Sequence, residues 1–344
     1  MEAQTLIKER AYGSGRRAKA MLRTTFTELV GVEAPIQMSG MGSVGGPELA
    51  AAVSQAGGLG TNTVAGLTPN EVEARVDLIR TQTKKPFALN FLIPVVDTEA
   101  VKAAARACRV VDFFWGRPDA ELVRIAHAGG ALVSWQTGSL EEAVAAEAAG
   151  CDFLIAQGIE AGGHIRGQLG VLQLLTEVVE AVKVPVLAAG GIGNARALAG
   201  VIAAGAAGAR IGTRFLAAEE TNAHPDYVKA LIAARAEDSV RTNRFHVDCP
   251  LCPSTHGVLR SAIERAEALQ TETAGDWPGV RPIPRFAGAP PNRSFVGTIA
   301  AMACYAGQSV GDVKKVEPAA KIVHELVEGA EAILLGTKSQ MSPA

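Results

Sequence analysis

The sequence predicts an α/β protein folded as a (β/α)8 TIM barrel, and three observations carry that prediction. Eight short apolar runs recur between residues 34 and 212. Ala-rich amphipathic stretches separate most of them, and glycine pairs or amide side chains follow several. Near-continuous apolar strands alternating with helices signal a parallel sheet covered by helices. Repeated eight times, that unit fits a closed barrel whose chemistry sits at the C-terminal strand ends.

The strand runs are Ala34–Met38, Gly58–Thr61, Pro86–Asn90, Val110–Phe113, Ala131–Ser134, Phe153–Ala156, Val184–Ala189 and Ala209–Gly212. Helical patterns fall between them at Pro47–Ala56, Pro69–Thr81, Asp119–Ala128, Leu140–Ala149, Val171–Val182 and Ala195–Ala204. A doubly wound sheet is the alternative, but it needs a Gly-x-Gly-x-x-Gly turn after the first strand. Met38-Ser-Gly40-Met41-Gly42 does not complete one. After Phe215 the repeat stops. Residues 216–275 read as helical, with a helix from His224-Pro225 through Ala234, and Ala274–Arg293 is Pro/Gly-rich and irregular. A last helical stretch runs from Val316 to Leu335, interrupted by Pro318 and Gly329. The expected organisation is a barrel over residues 21–220 and a C-terminal helical and irregular subdomain over residues 221–344. That subdomain covers the barrel mouth and ends in a closing helix.

Composition agrees with an enzyme-sized core. Of 344 residues, 48% are hydrophobic and only 5% aromatic, so Ala, Val, Ile and Leu must fill the interior. A net charge of −2 and the lack of a basic stripe argue against a nucleic-acid partner. No signal peptide or membrane span is read, and a cytoplasmic location is expected. Residues 1–20, with Arg10, Arg16, Arg17 and Lys19, read as a disordered basic tail, with Met21 as a natural start of the fold. Five scattered cysteines suit a reduced intracellular chain. Cys249-Pro-Leu-Cys252 has CxxC spacing, flanked by His246 and His256, but no second ligand pair completes a tetrahedral set. Two reduced thiols and no metal are expected there.

The strand ends offer a ligand site. Gly190-Gly191 and Gly212-Thr213 follow the seventh and eighth strands, the usual phosphate position of such barrels. They present backbone N–H groups without side-chain obstruction, and a helix starting after Ile192 turns its positive end toward an anion. Met41, Gly42, Asn90 and Gln157 stand at the first, third and sixth ends. Amides that both donate and accept suit the edge of a heteroaromatic ring. Phosphate on one side and amides on the other describe flavin mononucleotide (FMN). Ala156-Gln157-Gly158-Ile159-Glu160-Ala161-Gly162-Gly163-His164 then presents a histidine from a glycine-rich loop, a candidate catalytic group. Glu160 is as well placed to hold the loop as to titrate, and is left out of the catalytic set.

Ala34-Pro-Ile-Gln-Met-Ser-Gly-Met-Gly, Ala56-Gly-Gly-Leu-Gly, Lys85-Pro-Phe-Ala-Leu-Asn, the Ala156–His164 segment, Pro185-Val-Leu-Ala-Ala-Gly-Gly-Ile and Gly212-Thr-Arg-Phe together resemble the nitronate monooxygenases, formerly 2-nitropropane dioxygenases. The resemblance spans roughly residues 24–235. Thr213-Arg-Phe-Leu-Ala-Ala-Glu-Glu-Thr-Asn-Ala-His-Pro is similar to flavin-dependent enoyl-ACP reductases of the same superfamily. The resemblance implies an FMN barrel with His164 beside the flavin. Its flavin positions fall on Met41, Gly42, Asn90, Gln157, Gly162, Gly163, Gly190, Gly191, Gly212 and Thr213. At the fifth strand end, where related reductases carry a lysine or similar polar residue, this chain has Trp135-Gln136, and Gln136 is carried as a flavin contact.

The implied activity is oxidation of alkyl nitronates by O2 to a carbonyl compound and nitrite. There His164 either binds the anion or removes an acidic proton. The alternative is NAD(P)H-dependent reduction of an enoyl thioester or quinone. Either way the partners are small molecules, and a homodimer is left open.

Overall fold

Runs as apolar as Phe153-Leu-Ile-Ala cannot leave either face in water, so they pair edge to edge and take helices on their outer side. The computed structural model describes residues 22–341, and the expected tail over residues 1–20 lies outside them. In chain order the barrel elements are α1 (Thr25–Val30), β1 (Ile36–Met38), α2 (Pro47–Gln55), β2 (Gly60–Thr63), α3 (Pro69–Gln82), β3 (Phe87–Leu92), α4 (Thr98–Ala105), β4 (Val110–Phe114), α5 (Ala120–Ala128), β5 (Leu132–Thr137), α6 (Leu140–Ala148) and β6 (Phe153–Gln157). A short strand β7 (Gly163–Ile165) follows, then α7 (Val171–Ala181), β8 (Val186–Ala189), α8 (Ala195–Ala203) and β9 (Gly208–Ile211).

Eight of these strands form one parallel sheet in the order β1-β9-β8-β6-β5-β4-β3-β2. Its two edges meet. Met38 N–H donates to the Leu59 carbonyl and Leu59 N–H to the Ile36 carbonyl, at 2.9 and 2.8 Å, which closes the barrel. All eight expected strand runs are in it. The helix α4 is an addition to the sequence reading, started by the Asp97 carboxylate, which accepts from Glu99 N–H at 2.8 Å.

Beyond β9 the chain makes α9 (Pro225–Ala233), β10 (Ser239–Thr242), β11 (Thr255–Leu259), α10 (Arg260–Ala268), β12 (Thr273–Trp277), β13 (Arg281–Pro284), β14 (Val296–Gly297) and α11 (Ala319–Met341). The helical reading of residues 216–275 is therefore corrected: only α9 and α10 are α-helices of that segment, β10, β11 and the start of β12 are strands, and turns and irregular chain make up the rest. The reason is long-range. β11 pairs antiparallel with both β10 and the distant β7, so its extended backbone depends on a partner some ninety residues earlier. The same pairing turns Gly163-His164-Ile165, read as loop, into a strand.

Leu216, Tyr227, Leu231, Phe245, Val258, Phe295 and Val310 form a second hydrophobic core with Val44. The last helix, α11, returns to the barrel and packs against α8 and α2. It is not interrupted at Gly329. A Cβ there would lie 2.6 Å from the Ala195 side chain, so the glycine sets how closely α11 approaches α8. Among the described residues no helix is long and apolar enough to cross a membrane.

Candidate active site

Parallel strands of a barrel end together at one face, so whatever follows each strand converges there. A cavity of about 360 Å³ occupies that face. All twelve site residues expected from sequence line it: Met41, Gly42, Asn90, Gln136, Gln157, Gly162, Gly163, His164, Gly190, Gly191, Gly212 and Thr213. Segments beyond the barrel close it from above with Tyr227, Cys249, Pro250, Leu251, Ala289 and Tyr305.

The glycines are used for their backbones. Gly190 and Gly191 take φ of +114° and +70°, in the left-handed region where a side chain is strained. A Cβ on Gly162 would stand 2.5 Å from the Gly307 amide nitrogen. Glu160 serves the loop: both its carboxylate oxygens accept from Val171 N–H, at 3.1 and 2.9 Å, at the start of α7. Gln157 holds the following strand, donating to the His164 carbonyl at 2.9 Å and accepting from Arg166 N–H at 3.1 Å. The hydroxyl oxygen of Thr213 accepts from Gly307 N–H at 3.0 Å, tying β9 to the covering segment.

Two charges missed from sequence lie under the cavity. Asp112 on β4 and Arg210 on β9 form a fully buried, two-pronged pair at 2.9 and 2.7 Å. Asp112 also accepts from Asn90 Nδ2 and Ser134 Oγ, both at 2.7 Å, so it fixes an amide that lines the cavity. Arg210 lines the cavity itself, and its Nε is buried without a hydrogen-bond partner. The signal in the sequence is a charge inside an apolar strand, in Val-Val-Asp112-Phe-Phe and Ala-Arg210-Ile, which has to face the barrel interior.

His164 sits on β7 among Trp115, His256 and Tyr305, with ring centroids 4.9–5.8 Å away. Its Nε2 is 3.2 Å from Cys249 Sγ. Burial, with a smaller contribution from His256, pushes its pKa down to about 3. Of the two roles expected for it, anion binding and proton removal, this leaves the first: the ring is neutral at pH 7, a hydrogen-bonding group and a weak base. His256, named in the sequence reading only as a flank of the CxxC, is pushed down to about 4, first by burial and then by His246. The two reduced thiols expected at the CxxC are a disulfide, Cys249–Cys252, because the turn brings the Cα atoms to 5.5 Å.

Both histidines hold fewer protons folded than unfolded, since their folded values lie below the ordinary 6.5. Their contribution to stability is complete above that value and is lost as pH falls through the window toward 4. In metal-free protein, denaturant titrations at pH 6.0, 5.5 and 5.0 should show His256→Gln with a shallower decline than wild type. The difference should be about 1.4 kcal/mol per pH unit, one proton. Parallel slopes would mean that His256 is charged in the folded state.

The nitronate monooxygenase family matches residues 23–108 and 97–329. A (3aS,4S,5R,7aS)-5-hydroxy-7a-methyl-1-oxo-octahydro-1H-indene-4-carboxyl-CoA dehydrogenase from Rhodococcus jostii is 39% identical over 224 residues, 65% of this chain and 63% of that protein. The match thus leaves more than a third of that relative's length uncovered. Among solved structures, FabK from Thermotoga maritima aligns with a TM-score of 0.78 at 29% identity, over 93% of this chain and all of that one. Nitroalkane oxidase from Streptomyces ansochromogenes aligns at 0.72 and 28%, with the same coverage. Sequence match, barrel and cavity agree: the chain belongs to the nitronate monooxygenase family of oxidoreductases.

Proposed function

We propose that the protein is an FMN-dependent enzyme that oxidises alkyl nitronates with O2 to a carbonyl compound and nitrite. The observation that carries the reading is the meeting of two glycine turns, three amides and His164 in one cavity. The residues fit the cofactor. Gly190, Gly191 and Gly212 form a side-chain-free cradle for a phosphate with Thr213 beside them, and Asn90, Gln136 and Gln157 offer donors and acceptors to a ring edge. The unpartnered Arg210 Nε is a further donor beneath them. When bound, the flavin supplies the two-electron chemistry and the reactivity toward O2.

The chain's own residues bind and orient. His164 is neutral, so it donates a hydrogen bond to a nitronate oxygen rather than offering a positive charge. Pro250, Leu251, Ala289 and Tyr305 make the apolar cover that keeps water from the reacting atoms. A second reading is oxidoreduction of a CoA or acyl-carrier thioester, favoured by the 39% identity to a carboxyl-CoA dehydrogenase. Anaerobic mixing of the purified protein separates the two. Bleaching of the flavin by a nitronate but not by NADH or NADPH supports the first reading. Rapid bleaching by a nicotinamide cofactor supports a reductase, and a colourless protein defeats both.

The phosphate assignment has its own test. Gly191→Asp puts a carboxylate in the cradle at a left-handed φ. It should remove nearly all bound FMN, as measured by flavin released on denaturation, with the fold retained by circular dichroism. Full flavin content would remove the assignment.

A further inference from the structure

Four side chains able to ligate a metal lie close together at one side of the cavity, which His164 and Cys249 line and behind which Cys252 and His256 are set. His164 on β7 and His256 on β11 stand opposite each other in register, their rings 4.9 Å apart. The Nε2 of His164 is 3.2 Å from Cys249 Sγ. One donor atom each from His164, Cys252 and His256 lie within 4.8 Å of one another. His256 is fully buried; its Nδ1 meets Ser254 Oγ at 3.3 Å, and its Nε2 has no hydrogen-bond partner. A buried nitrogen left that way costs about 1–3 kcal/mol, which a bound cation would recover.

The spacing suits a tetrahedral ion. Bonds of about 2.3 Å to sulfur and 2.0–2.1 Å to nitrogen imply ligand–ligand edges of roughly 3.3–3.8 Å. The separations of 3.2 Å between His164 and Cys249, and of up to 4.8 Å among His164, Cys252 and His256, bracket that range. The two sulfurs stand closer than that, because they are bonded to each other. Their Cys-Pro-Leu-Cys spacing is one that zinc sites use. The other cysteines, Cys108, Cys151 and Cys304, are buried and free.

We propose that reduction of the Cys249–Cys252 disulfide opens a four-coordinate site, made of Cys249, Cys252, His164 and His256, for a borderline-soft divalent cation of the zinc class. A dithiol supplies two electrons and two protons, the S–S bond breaks to two thiols, and the dithiol leaves as its own disulfide. Binding of one cation then releases both thiol protons to solvent. Sulfur and imidazole donors select such ions over magnesium or calcium. Disulfide and metal exclude each other, so the cavity wall exists in an oxidised, metal-free form and a reduced, metal-bound form that engages His164.

Cobalt(II) is the probe. The full-length protein as purified is reduced with dithiothreitol, desalted anaerobically and titrated with Co²⁺, beside a sample kept oxidised. The reduced protein should bind one Co²⁺ per chain, with sulfur-to-metal charge-transfer absorption and the visible bands of a tetrahedral ion, and zinc should erase both. Oxidised protein should bind none. Cys252→Ser and His256→Gln should each weaken binding at least tenfold. Reduced wild type that takes up no stoichiometric cobalt, or oxidised protein that binds it equally, overturns the proposal. So does a bound ion without the sulfur band. The comparison of the two wild-type samples stands whether or not the variants fold.

Discussion

Asp112→Ala is expected to destabilise the fold by about 3–5 kcal/mol, because it strands a buried guanidinium. Arg210 and Asp112 are both essentially without solvent contact, and the carboxylate receives four hydrogen bonds, two of them from Arg210. The uncompensated charge outweighs the small volume lost. A melting midpoint lower by roughly 4–7 °C is the readout. Arg210→Met alone should also be costly, since it leaves the carboxylate buried, whereas the double variant Asp112→Ala with Arg210→Met should recover much of the loss. Additive losses, or a single-variant drop below about 1 kcal/mol, would show that the pair is not what holds the strands β4 and β9 together.

His164→Ala should lower turnover about 10²-fold or more while leaving flavin content and melting temperature close to wild type. The side chain lines the cavity and is only partly buried, so its loss removes little core. Its pKa of about 3 sharpens the expectation. A weak base contributes little to proton removal, so a nitroalkane and its pre-formed nitronate should lose rate by similar factors. The wild-type rate on nitronate should show no step from this group between pH 5 and 8. Selective loss on the neutral nitroalkane would instead make His164 the base. Wild-type rates on both forms, at full flavin content, would leave it a bystander.

Much of this was legible in the chain because it is local. Strand runs such as Val186–Ala189 declare themselves by being apolar on both faces, and glycine pairs mark where a backbone must turn or be approached closely. The order of eight such runs is enough for the barrel. A barrel then collects its strand ends at one face without further instruction. That is why residues spread from Met41 to Thr213 could be assigned to a single cavity before any contact was known, with Gln136 added from the family resemblance.

What the sequence did not decide depends on partners far along the chain. β11 is a strand because β7 offers it an edge, and Gly329 sits inside a continuous helix because its missing side chain lets α11 close on Ala195. The buried pair of Asp112 and Arg210 joins residues 98 positions apart. His164 reads as an ordinary titrating histidine until Trp115, His256 and Tyr305 surround it and remove the water that would hydrate its charge. Cys249 and Cys252 are close in sequence, yet their setting against two histidines is tertiary. Local pattern determined the barrel elements and the floor of the site. The protonation, pairing and ligation of its side chains were decided by desolvation and distance, which exist only once the chain has closed.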